Sequence, residues 1–298
     1  MHRALSILNS ARFAAPRACA FAVARVRAES GLDFSRARAR AGFARGHLLD
    51  VVVFLPGGQG TPQESEAAEE LVCLLLGEEL FERWIGSVRA TPTARGGLLT
   101  VLNENAEDRS ALPLETLLET VGAAIAGLKE GLPPLPLAPS ANSDDWFAFE
   151  LSPEPAADYA AQDDLVFCST RTPEPKKCFL RREPFFSGRF TTSGALFTYL
   201  KYEAGESTAE ARVAERTRLE ERIQRILRPE QGGVLGLGLG VRYAYIDLAL
   251  ADPDCLPLLL PELRALGISR QSWLLFCDSE LEAEYLPVFS DSPAPFRD

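Results

Sequence analysis

The sequence predicts an α+β protein of two tandem ferredoxin-like (β-α-β-β-α-β) units, with antiparallel sheets and helices packed on one face. Two observations carry this. Apolar runs and helical stretches follow that order twice, over residues 48–151 and 191–298. At 298 residues, 46% of them apolar, the chain is also long enough to give each unit a core of its own. Residues 152–190, rich in proline and charge, read as a connector.

The first unit opens with Asp50 to Pro56, a β-branched run closed by Pro56-Gly57-Gly58. A helix is expected from about Ser65 to Ile85, with Glu64, Glu66, Glu69 and Glu70 at its N-terminal end, where the helix dipole favours negative charge. Ala67, Leu71, Leu74 and Leu75 share one face of it. A hairpin is expected from Gly86 to Thr91 and Gly97 to Asn103. A second helix follows Ser110, with Leu114, Leu117, Leu118, Val121, Ile125 and Leu128 at core-face spacing and Gly131 at its stop. Trp146 to Leu151 would close the unit.

In the second unit Ala195 to Glu203 is a strand, and Ser207-Thr208-Ala209-Glu210 opens a helix running to about Arg228. Leu219, Ile223, Ile226 and Leu227 give that helix its buried stripe. Val234 to Val241 and Tyr243 to Leu250 form a hairpin. A helix capped by Asp252 or Asp254 and ending at Gly267 contains Pro257 and Pro261, which shorten or kink it. Ser272 to Cys277 is the fourth strand.

Residues 1–47 carry nine arginines against Glu29 and Asp33, with no lysine. That is the composition of an organelle transit peptide, and equally of translated sequence lying upstream of a true start in a GC-rich gene. Either way this extension is set outside the predicted fold. A cytoplasmic location is expected, or a mitochondrial or plastid one if the extension is a transit peptide.

The remainder holds 22 basic and 40 acidic side chains, so direct nucleic-acid binding is disfavoured. No apolar run reaches the roughly 20 residues needed to span a bilayer, and no membrane association is expected. The six cysteines include no C-x-x-C pair and suit a reducing compartment.

His2 and His47 are the only histidines. This removes Ser-His-Asp and Cys-His catalysis, histidine zinc sites and histidine-ligated haem from the body of the chain. No cofactor, metal or catalytic residue is therefore assigned. Asp278, Glu280, Glu282 and Glu284 form the densest acidic cluster, which reads first as a solvated face.

The run from Gly232 to Gly240 is not a dinucleotide fingerprint, because a helix precedes it and a strand follows. Counted by twos, Val234, Gly236, Gly238 and Gly240 share one face and Leu235, Leu237, Leu239 and Val241 the other. A bare glycine face admits close packing, the favoured reading, or a flat ligand. Gly236, Gly238 and Gly240, with Tyr243, Tyr245 and Asp247 of the next strand, are the candidate ligand-binding residues.

Phe197 and Tyr199, alternating on a strand, read as packing residues. Lys176, Lys177, Arg181, Arg182 and Arg189, interleaved with Phe179, Phe185 and Phe186, read as a segment folding back on acidic domains, or else as an interface. The expected function is that of a non-enzymatic acidic binding or regulatory protein engaging a basic protein partner. The alternative is a small-molecule sensor, or a histidine-independent enzyme, with a pocket on the second unit near the glycine-rich strand.

Overall fold

A computed structural model describes residues 15–92, 110–134, 146–205 and 208–295. The chain is α+β and divides into two compact units, residues 1–131 and 132–298. Among the described residues there are seven helices, a four-stranded and a seven-stranded sheet. None of these helices is long and apolar enough to cross a membrane.

The first unit begins earlier than its sequence suggests. Helix α1 (Ala15–Ser30) and strand β1 (Arg38–Phe43) lie in the extension set outside the predicted fold, and Val26 and Phe34 are fully buried. The inward residues of α1, Cys19, Ala22 and Val26, are small and sit among arginines, so their stripe is weak as a hydropathy signal. Strand β2 (Leu49–Leu55) pairs antiparallel with β1 and parallel with β3 (Ile85–Pro92); the two-residue β4 (Leu112–Pro113) joins the other side of β1.

The single helix expected between β2 and β3 is two, α2 (Pro62–Leu76) and α3 (Glu78–Trp84). Gly77, at φ +86°, ends the first, a conformation cheap only for glycine. Thr61 and Glu64 form a reciprocal capping box at the start of α2. Helix α4 (Leu117–Gly131) packs on β1 and contributes Leu117, Val121 and Ile125 to the core, as its spacing predicts. The partner strand expected at Gly97 to Asn103 lies outside the described residues. The sheet order β3-β2-β1-β4, with its parallel β2/β3 pair, departs from the antiparallel sheet expected of this unit.

Trp146 to Leu151, expected to close the first unit, instead supplies β5 (Phe147–Glu150) at the edge of the second sheet. The expected connector is also structured, giving β6 (Leu165–Thr170) and α5 (Pro173–Leu180). After them come β7 (Leu196–Glu203), α6 (Ala209–Ile226), β8 (Gly232–Gly240), β9 (Tyr243–Leu250), α7 (Leu256–Ala265), β10 (Ser272–Phe276) and β11 (Tyr285–Pro287). The sheet runs β11-β10-β7-β9-β8-β6-β5 with every pairing antiparallel.

The two faces of this sheet differ in chemistry. Leu200, Ile246, Leu248 and Leu274 point to one side and bury Leu219 and Ile223 of α6 with Leu259 and Leu263 of α7. Alternation places Phe197, Tyr199, Lys201, Tyr243, Tyr245, Asp247 and Trp273 on the other side. Residues 152–164 and 171–190, flanking β6, cover that aromatic and polar face.

Candidate functional site

The site grows from the polar face and from a bulge in β8. The register of β8 against β9 shifts between Val234 and Gly236, so a strict count by twos fails there. Val234 joins Leu237 in the aliphatic core, while Leu235 turns to the opposite side against Phe185, Phe190 and Phe197. The glycines remain on the polar face, where the chain itself fills the space they leave.

A Cβ on Gly240 would lie 2.3 Å from the Asp164 carboxylate, one on Gly238 2.7 Å from Leu165 Cδ2, and one on Gly236 2.8 Å from the Ser169 carbonyl and 2.9 Å from Asp247 Oδ2. Close packing thus accounts for the missing side chains. Asp164 is wholly buried. It accepts hydrogen bonds from the backbone N–H groups of Arg242 and Tyr243, both at 2.8 Å, and from the Tyr245 hydroxyl.

Tyr243 donates to Asp158 Oδ1 at 2.7 Å. Burial and the adjacent Asp158 raise the pKa of the Tyr243 phenol; burial and Asp164 raise that of Tyr245. Both phenols therefore stay protonated and serve as hydrogen-bond donors to carboxylates. Lys201, almost fully buried, donates to the Tyr159 carbonyl with its ammonium 4.2 Å from the Tyr243 ring centroid. Burial lowers its pKa to about 8, a shift that the nearby Asp164 and Asp158 only partly offset.

Asp247 stands apart from the two tyrosines. Its Oδ2 accepts from Lys176 Nζ at 2.8 Å and its Oδ1 from Gln162 Nε2 at 2.8 Å, while Lys176 also donates to Gln162 Oε1 at 2.6 Å. Lys176 and Asp247 border a small cleft, about 20 Å³ in cavity volume, that opens to solvent. Phe179, Phe185, Phe197, Leu235 and Cys277 form its apolar walls; Thr170, Thr172 and Thr198 add hydroxyls. Of the six candidate ligand residues, Asp247 lines the pocket. Tyr243, Tyr245 and the three glycines instead lie in the packed layer beside it.

Lys176, read from sequence only as part of a basic patch, is the pocket cation. The segment around it does fold back: Lys176 pairs with Asp247 of β9, the Phe185 N–H donates to the Ser279 hydroxyl at 3.0 Å, and Arg189 is buried. Gln162 carried no sequence signal, because its role depends on a partner 85 residues away.

Other chemistry is muted. All six cysteines are free. Burial raises the thiol pKa of Cys178 and pushes that of Cys277 well up, so neither is an activated thiolate. Asp278 is buried, accepting from the Ser187 N–H at 2.7 Å and from its hydroxyl, whereas Glu280, Glu282 and Glu284 are exposed. Among the described residues no group of three or more histidine, cysteine or carboxylate side chains could hold a metal ion. Comparison with protein-family models, curated proteins and solved structures finds no match to this chain.

Proposed function

We propose that the second unit is a ligand-binding module of regulatory type, which receives a compact, planar small molecule in the pocket beside Lys176 and Asp247. The frame β7-α6-β8-β9-α7-β10 has the strand order β10-β7-β9-β8, which we read as a ferredoxin-like unit extended by β11, β6 and β5. In this reading the aliphatic face holds the fold and the opposite face holds the ligand.

The carrying observation is the state of Lys176. Its side chain is 5% exposed, and two of its three N–H groups are taken by Gln162 and Asp247. The third is the donor a ligand carbonyl or similar acceptor would meet. Phenylalanine walls with a few convergent polar groups are the usual make-up of a small-molecule site. The protonated thiols favour binding over covalent chemistry.

Ligand-observed NMR with benzamide, nicotinamide and indole tests this. The carbonyl-bearing probes should bind the wild-type chain better than indole does, and Thr172→Trp, which narrows the pocket, should abolish the signal. Equal signals from wild type and Thr172→Trp would rule the pocket out as the binding site.

A further inference from the structure

Strand β5 is an outermost strand of the seven-stranded sheet, paired only with β6 among the described residues. The Leu151 N–H donates to the Val166 carbonyl at 2.9 Å. Antiparallel alternation then directs the N–H and C=O groups of Phe147 and Phe149 toward β6 and those of Ala148 and Glu150 away from it. The outward groups are a short template for another strand, and β5 has neither the lysine nor the proline that commonly blunts such edges.

Two features give that edge a character. Trp146, Phe147 and Val166 are 37%, 47% and 45% exposed, which gathers large apolar side chains at one margin of the sheet. Charge around it is mostly acidic: residues 132–170 contain seven carboxylates and no lysine or arginine, and the adjoining Arg171 is engaged over the Trp146 ring, 4.8 Å from its centroid. Asp158, Asp163 and Asp164 are engaged with Tyr243, Arg182 and Tyr245. Glu150 and Glu154 are exposed and form no ion pair among the described residues.

We propose that β5 docks an extended, basic segment of a protein partner, which adds to the sheet as an eighth strand. Backbone hydrogen bonds to Ala148 and Glu150 would supply the pairing, apolar side chains would meet Phe147 and Trp146, and lysines or arginines would meet Glu150 and Glu154. A second copy of this chain fits poorly. Its own β5 carries Glu150 and neither lysine nor arginine, so it has no cation on that strand to meet the Glu150 and Glu154 of the first copy.

The probe is a capped peptide of alternating lysine and valine, titrated calorimetrically into the full chain, with a glutamate–valine peptide of equal length as control. The lysine peptide should bind, shift the emission of Trp146, and lose affinity as salt rises. Ala148→Pro removes an outward N–H and spares the pairing to β6, so it should weaken binding about fivefold with the thermal midpoint unchanged. Glu150→Lys, which keeps the backbone intact, should also weaken it. Undiminished binding to both variants, equal binding of the glutamate peptide, or self-association through β5 without peptide binding would overturn the proposal.

Discussion

The Asp164 carboxylate occupies the place of a side chain at Gly240. An ideal Cβ there would sit 2.3 Å from the carboxylate, which is simultaneously held by two backbone N–H groups and the Tyr245 hydroxyl. The glycine and the aspartate act as one unit, a bare strand position and the acid that fills it.

Gly240→Ala should therefore destabilise the second unit by about 3 kcal/mol, because the carboxylate cannot move without breaking its hydrogen bonds. Gly238→Ala meets the methyl end of Leu165, which can rotate, and Tyr245 Cβ at 3.2 Å, which needs only a small shift, and should cost about 1–2 kcal/mol. Urea unfolding of the two variants checks the order; equal losses would show that Asp164 is not fixed.

Lys176→Met leaves Asp247, 13% exposed at the pocket wall, with Gln162 as its remaining side-chain partner and should cost about 2–3 kcal/mol. Adding Asp247→Leu removes the stranded charge and should recover most of that loss. A double-mutant cycle from chemical denaturation reads the coupling directly.

Lys201 makes a pH-dependent contribution. Its folded pKa of about 8 lies below the ordinary lysine value of 10.5, so between those limits the unfolded chain holds a proton that the folded chain has released. Stability from this residue consequently rises with pH across that window and is flat below it. Relative to Lys201→Met, the wild type should gain about 2 kcal/mol between pH 7 and 9.5. A pH-independent difference between the two would contradict a desolvated ammonium.

In the first unit, Thr61→Ala removes the hydroxyl that accepts from the Glu64 N–H and should cost about 1 kcal/mol. Circular dichroism melts are the readout, and Thr61→Ser should retain most of the stability.

Much of the second unit is legible in the sequence because its signals are local. The Ser207–Glu210 motif marks the start of α6, although the cap is Thr208, one residue later than the box implies and bonded to the Ala211 N–H, and β7, β9 and β10 fall within a residue of their apolar runs. The polar cover is not legible, since Asp164 meets Arg242, Gln162 meets Asp247 and Lys176 meets Asp247 across 71 to 85 residues with no periodicity to mark them. Strand β5 is readable as a strand, but nothing local reveals which sheet it joins. Of the candidate site, Asp247 is found from its place on the strand, whereas Lys176 is visible only as one charge in a basic run.

The two chemically distinct faces of the seven-stranded sheet imply two tiers of cooperativity. Because the aliphatic layer under α6 and α7 is built without residues 152–164 and 171–190, that cover can open as a unit while the strands stay paired. Amide exchange should then separate into two classes, with protection in α5 lost well before that of β7 and β9. The portion of the molecule that holds its charges is thus also the portion that can move without unfolding the rest.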